Sequence, residues 1–291
     1  MERFVGLTFS GISTGMIYAA VALAIVLIWR ATRVVNFAQG ALGMITTYIA
    51  FSVLSAGAPY PVAFLVALVS GFVIGGVAER FLVRPVETGP PLNAIIVTLG
   101  LLIFVEAIAG MIWSGRFRPF PSPLGIRSFQ LGGVSTLSPS DLFTIAAVAV
   151  IAIGLFVLFQ YTDVGLRMRA AAFEGEVARM LGVKVGQMLT LGWALASVAG
   201  SLAGVLVAPA VFLHPNNMDG VFITGFTAAV IGGLDSPVGA LVGGLGLGIV
   251  LSWVSGYLGG DLVTLAALVA LIVVLMVRPS GIFTRAEVRR V

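Results

Sequence analysis

Apolar runs of about 20 residues recur along the chain, each closed by charge, proline or glycine, at about 5–29, 37–56, 60–80, 92–113, 140–160, 187–209, 238–257 and 261–277. Each is long enough to cross a hydrocarbon core of about 30 Å as a helix. Hydrophobicity within the runs is continuous rather than alternating, which predicts helices and argues against the strands of a membrane barrel. The expected fold is all-α: a polytopic transmembrane helix bundle of about eight spans, one transmembrane domain over 1–291. A further segment, Val221 to Leu234, is apolar for only about 14 residues and runs into Gly232-Gly233-Leu234-Asp235-Ser236-Pro237. That length and break predict a short half-helix or re-entrant piece. The first run exceeds a signal-peptide core and lacks a convincing cleavage site, which predicts that it is retained as a span.

Composition sharpens this picture. Of 291 residues, 59% are hydrophobic and 10% charged, against about 45–50% and about 25% in an average soluble domain. The 37 glycines suit a membrane bundle, where small residues let helix backbones approach. With no cysteine and one histidine, His214, the chain has no material for disulfides, thiol catalysis or a Cys/His metal site. The net charge of +4 comes from basic residues at the ends of apolar runs, where they set topology rather than bind nucleic acid.

Twelve of those basic residues, Arg30, Arg33, Arg80, Arg84, Arg167, Arg169, Arg179, Lys184, Arg278, Arg285, Arg289 and Arg290, fall on one side if the 221–234 segment returns the chain inward; Arg3, Arg116, Arg118 and Arg127 fall on the other. The excess predicts that the first side is cytoplasmic and that the N-terminus faces out. The outer loop, 114–139, holds Pro119, Pro121, Pro123 and Pro139 and is expected to be extended and ordered by packing or by a partner. Glu79, Arg80 and Arg84 are expected to anchor a span at the interface.

The cytoplasmic loop, 163–186, differs. Arg167, Arg169, Glu174, Glu176, Arg179 and Lys184 are crowded into it, and Leu166, Ala170, Phe173, Val177 and Leu181 recur at helical spacing before Gly182. This predicts an amphipathic helix, with a break at Gly175. Its mixed charges favour a protein partner over a lipid surface. The stretch Glu176-Val177-Ala178-Arg179-Met180-Leu181-Gly182 resembles the E-A-A-x-x-x-G core of the coupling loop of ABC importer permeases.

Three motifs extend the resemblance over essentially the whole chain: Val35-Asn36-Phe37-Ala38-Gln39-Gly40-Ala41, Gly165-Leu166-Arg167-Met168-Arg169-Ala170-Ala171-Ala172 and Ile231-Gly232-Gly233-Leu234-Asp235-Ser236-Pro237-Val238-Gly239-Ala240. Together with Arg278-Pro279-Ser280-Gly281-Ile282, they resemble the branched-chain amino acid ABC transporter permease family, in order and spacing its LivH-type subunit. Gln39, Ala41 and Asp235 depart from residues common in that family, which are His, Glu and Gly.

The resemblance implies a multi-pass protein of the bacterial inner membrane. Its expected partners are a homologous second permease, two cytoplasmic ABC ATPase subunits, an extracytoplasmic substrate-binding protein and membrane lipid. It implies no cofactor on this chain, with ATP and Mg held by the ATPases. The sequence agrees with the last point: it has no G-x-x-x-x-G-K-[ST] loop. ATPase coupling is expected from Leu166, Arg167, Arg169, Phe173, Glu174, Glu176, Arg179 and Leu181. The cargo implied is a branched-chain or related amino acid.

Pathway candidates are Asn36, Gln39, Gly40, Glu106, Gly233 and Asp235. Asn36 and Gln39, three apart, would share a face if helical, and either line a polar path or tie helices together. Glu106 sits mid-span, where an acid needs a cavity, a partner or a proton. Gly233 and Asp235 lie in a break that is either a midplane site or, as the topology favours, a cytoplasmic turn with Asp235 as a cap. His214 has no assigned role. An ion-coupled secondary transporter or channel is the alternative, but it leaves the charged cytoplasmic loop without a purpose. No nucleophile, base and orienting group occur together, so no catalytic residue is assigned.

Overall fold

The computed structural model describes residues 2–86, 89–131, 134–278 and 281–283. Pro279, Ser280, Arg285, Arg289 and Arg290 of the readings above lie outside the described residues. The helices are α1 (Glu2–Thr32), α2 (Gln39–Ser55), α3 (Tyr60–Ala78), α4 (Pro91–Trp113), α5 (Pro139–Tyr161), α6 (Asp163–Phe173), α7 (Gly175–Met180), α8 (Val185–Val211), α9 (Asp219–Gly232), α10 (Pro237–Tyr257) and α11 (Val263–Val277). Two-residue strands, β1 (Gln130–Leu131) and β2 (Val134–Ser135), pair in the outer loop. Seven helical stretches among the described residues are long and apolar enough to span a membrane; α2 and α9 are shorter. The chain is an all-α, multi-pass membrane bundle.

Local chemistry sets the helix starts. Ser138 and Asp141 form a reciprocal capping box at α5, and the Ser236 hydroxyl accepts from the Gly239 N–H at α10. Pro91, Pro139 and Pro237 open their helices, a position where the missing N–H is not needed.

Helices α1 and α8 form the centre, with 83% and 72% of their most apolar stretches buried, whereas α11 has 6% and stands at the periphery. Contact between central helices runs through glycine. A Cβ on Gly248 of α10 would strike the Gly15 backbone of α1, and one on Gly244 would strike Ala19. Gly43 of α2 and Gly200 and Gly204 of α8 make a second such seam. Close backbone approach replaces the hydrophobic driving force that lipid surroundings remove.

Helix α3 ends in a π-helical turn, Glu79–Val83. Glu79 is 1% exposed and is reached by the Arg84 guanidinium and the Thr190 hydroxyl of α8. The expected interfacial anchor is thus a buried ion pair holding α3 to α8; Arg80 alone of the three residues is exposed.

The end of the bundle that carries Arg30, Arg33, Arg80, Arg84, Arg167, Arg169, Arg179, Lys184 and Arg278 gathers the α1–α2, α3–α4, α5–α8 and α9–α10 connections. Arg33 of the first bonds Asp235 of the last, and Arg84 bonds Gly186 at the start of α8. Arg118 of the outer loop instead pairs with Leu213 after α8, at 3.0 and 2.8 Å through the backbone. The basic residues thus gather at one end of the bundle and Arg118 with the 114–139 loop lies at the other; by its basic excess the first is called the cytoplasmic end.

Candidate functional site

Two regions concentrate polar chemistry. The first lies within the bundle, where two short helices begin. The Gln39 side chain at the start of α2 donates to the Ala196 carbonyl at 3.0 Å. Ala196 is 11 residues into α8, or about 17 Å along it, so α2 starts deep in the bundle rather than at its surface. The residues before it, 33–38, are non-helical and carry the chain there. Helix α2 has 17 residues, and the run at 37–56 is therefore a shorter helix than a full crossing. Its first turn meets the first turn of α9: a Cβ on Gly40 would stand 3.2 Å from Phe222 Cβ and 3.5 Å from Met218 Cβ.

Asn36 and Gln39 are 0% and 1% exposed. Asn36 is not helical. Its side-chain Oδ1 accepts from the Ala38 N–H at 3.0 Å and its Nδ2 donates to Gln39 Oε1 at 3.2 Å. Each amide is satisfied inside the chain, as buried polar groups must be, and the Gln39 bond ties α2 to α8.

Glu106, partly exposed on α4, faces the Asp219 carboxyl in the first turn of α9 and the Asn216 side chain before it. Its neighbour is thus a second acid rather than a base. Asn217 adds an unusual feature: it is 5% exposed, and neither its amide oxygen nor its amide nitrogen has a partner among the described residues. His214 Nδ1 accepts weakly from the Asn216 N–H at 3.4 Å, and its ring packs at 4.5 Å from Phe117. Burial lowers the affinity of this imidazole for a proton, opposed in part by Asp219. Sequence reasoning passed over Asn216, Asn217 and Asp219. The signal was present in Asn216-Asn217-Met218-Asp219, a polar run with an acid in the first turn of the half-helix.

Gly233 and Asp235 are far from this cluster. Gly233, at φ 97°, turns the chain after α9 at the cytoplasmic end. Asp235 is not the cap of α10; that role belongs to Ser236. Asp235 instead pairs with Arg33 at 2.5 Å. The turn is held further by the Ile282 N–H, which donates to the Ile231 carbonyl at 2.9 Å.

The second region is the cytoplasmic loop. The five apolar residues expected on one face are divided between α6 and α7, because Glu174 leaves helical geometry at φ −146° and ψ 83°. The face that anchors the loop is Met168, Ala171 and Ala178, packed near Val185 and Leu189 of α8. Four of the five predicted residues point outward: Leu166, Phe173, Val177 and Leu181 are exposed, Phe173 at 87%. Met180 joins them at 86%. Arg167, Glu174, Glu176 and Arg179 are also exposed around this knob, whereas Arg169 is half-buried and donates to Gln160 at 3.1 Å.

The sequence pattern of a family described as "Branched-chain amino acid transport system / permease component" matches residues 7–277. The high-affinity branched-chain amino acid transport system permease protein LivH of Escherichia coli K12 is 29% identical over 300 residues, covering 97% of this chain and 96% of its own. The corresponding protein BraD of Pseudomonas aeruginosa is 28% identical over 299 residues, with the same coverage. Among solved structures, PsaBC from Streptococcus pneumoniae in complex with Fab superposes with a TM-score of 0.51 at 13% identity, over 94% of this chain and 91% of that one. At that identity the likeness concerns the fold.

Proposed function

The chain belongs to the family of branched-chain amino acid transport permease components, and from that premise we propose that it forms half of the translocation pathway of an ABC importer. A homologous permease supplies the other half, two separate ATPases supply the work, and an external binding protein delivers the cargo to the outer mouth. The observation that carries this reading is the knob of Phe173, Met180 and Leu181. Large apolar side chains exposed to 87%, 86% and 78%, ringed by charge of both signs and fixed to α8 through Met168, Ala171 and Ala178, have the form of a plug for a groove in a soluble protein. Motion of that protein passes through α6 and α7 to α8, the central helix of the bundle.

Within the pathway, Glu106 and Asp219 are the polar centre of this reading. Two carboxyl groups that face each other favour a positive charge between them. The ammonium of an amino acid is the cation a branched-chain cargo provides, and its apolar side chain suits the surrounding bundle. Gly40 shapes the junction of α2 with α9, Asn36 and Gln39 hold the start of α2 against α8, and Gly233 and Asp235 act at the cytoplasmic exit.

Reconstitution with the candidate ATPases tests the proposal. ATP-dependent uptake of leucine, isoleucine or valine, lost on Glu176→Lys or Arg179→Glu while the protein stays folded, is the expected result. Uptake driven by an ion gradient without ATPases would replace it with the carrier alternative.

A further inference from the structure

At the cytoplasmic end, a cavity of about 440 Å³ opens between the end of α1, helix α6 and the start of α8, lined by Arg30, Arg33 and Arg169 and by apolar residues such as Leu27, Phe159 and Met188. A second cavity of about 210 Å³ shares Leu27, Arg30, Phe159 and Arg169 with it and continues between α1, α5 and α10, along Leu23, Leu155, Val238 and Leu241. From Arg30 to Leu23 is seven residues of helix, or about 10 Å, so the apolar part lies at the depth of the inner leaflet.

The charges around the first cavity do not cancel. Arg30 is close enough to Arg33, Arg169 and Asp235 to feel all three. Asp235 bonds Arg33, and that pair is open to water, with side chains 62% and 45% exposed. Arg169 is held only by the neutral Gln160. Arg30, half-buried, has no hydrogen-bonded or ion-paired partner among the described residues. No acidic side chain lines either cavity, and the acids of the cytoplasmic loop, Asp163, Glu174 and Glu176, are exposed. Three guanidinium groups above an apolar slot match a molecule with an anionic head and a hydrocarbon tail. Guanidinium is also the side chain best shaped to bind phosphate by two parallel hydrogen bonds.

We propose that this cleft is a binding site for one anionic phospholipid of the inner leaflet, its phosphate among Arg30, Arg33 and Arg169 and one acyl chain between α1, α5 and α10. Basic pockets between helices on the cytoplasmic side are a recurrent form of headgroup recognition. Because α6 forms one wall, the lipid wedges between the cytoplasmic loop and the bundle and fixes their spacing. Leu166 and Phe173 of the exposed knob also line the first cavity, but lipid binding is measured on the permease alone, so its failure is distinguishable from failure of the importer reading.

Native mass spectrometry of the full chain, titrated in detergent with phosphatidylglycerol and, separately, phosphatidylcholine, tests it. One phosphatidylglycerol should be retained in preference to phosphatidylcholine, and millimolar inorganic phosphate should not displace it. The double variant Arg30→Gln/Arg169→Gln should weaken retention roughly thirtyfold, at about one kcal/mol for each arginine near an anionic head. Should that variant fail to fold, Val238→Trp, at an exposed position that lines the acyl slot, should lower retention with the arginines intact. Equal retention of the two lipids, or of phosphatidylglycerol by wild type and variants, overturns the site. Displacement by phosphate would mean that the head pocket binds a free anion and the slot holds no chain.

Discussion

The guanidinium of Arg84 donates to both carboxylate oxygens of Glu79, five residues earlier, at 3.0 and 2.7 Å. An α-helix would turn those two positions away from each other; the π-helical turn at Glu79–Val83, with its i to i+5 geometry, brings them together. Arg84 also donates to the Gly186 carbonyl at 2.6 Å, so one side chain ties α3 to the helix that follows the cytoplasmic loop.

Breaking this pair leaves Glu79 buried without its counter-charge. Arg84→Ala, at a side chain 34% exposed, should cost about 1.5–3 kcal/mol, whereas Arg80→Ala, next to Glu79 but exposed, should stay within about 0.5 kcal/mol. Thermal unfolding of both variants in one detergent measures the contrast; equal melting temperatures would show that the pair adds nothing.

The second ion pair makes the opposite case. Arg33 and Asp235 are both well exposed, and a solvated pair contributes roughly 0–1 kcal/mol. Asp235→Ala should leave the melting temperature nearly unchanged, and a large drop would mean that the turn after α9 depends on it.

Space rather than charge limits the α1–α10 contact. Gly248→Val places a side chain where the Gly15 backbone already stands and should destabilise by about 1–3 kcal/mol or more. Gly246→Val, on the same helix with nothing within 4 Å of its Cβ position, is the matched control. Yield of monodisperse protein reads the difference.

The exposed knob and its anchor should separate experimentally. Phe173→Asp and Leu181→Asp should abolish co-purification of the ATPases and leave the melting curve in place, while Met168→Asp, at a buried position, should lower stability as well. Retained co-purification in both exposed variants would move the docking surface elsewhere.

For the acid pair, Glu106→Gln and Asp219→Asn should each reduce uptake roughly ten- to hundredfold, the loss of one charge-assisted hydrogen bond of about 1.5–3 kcal/mol. Asp261→Asn, exposed at the outer end of α11, should have no effect. Normal uptake by either of the first two variants would remove that carboxyl from the pathway.

Hydropathy made the long helices legible to within a few residues, because crossing a membrane demands apolar length and little else. It gave 37–56 as a full crossing, whereas α2 has 17 residues and starts deep in the bundle; that depth shows in Gln39 reaching Ala196, a contact 157 residues distant that hydropathy cannot report. Periodicity put Leu166, Phe173, Val177 and Leu181 on one helical face, but the break at Glu174 divides them between α6 and the α7 region. It could not tell that Met168, Ala171 and Ala178 hold the loop and that the predicted set faces away. Glu106 stood out by depth alone, but its neighbour Asp219 comes from another helix, which no one-dimensional pattern reports.

The glycine seam joins α1 to α10, and so α1 must wait for a helix made long after it. Between Gly15 and Gly248, at about 5–20 residues per second, the ribosome takes roughly 12 to 47 seconds. For that interval α1 sits in the bilayer with its small-residue face uncovered, able to pair with any helix that offers a similar groove. Fidelity of assembly therefore depends on this face staying free of wrong partners until α10 has been made.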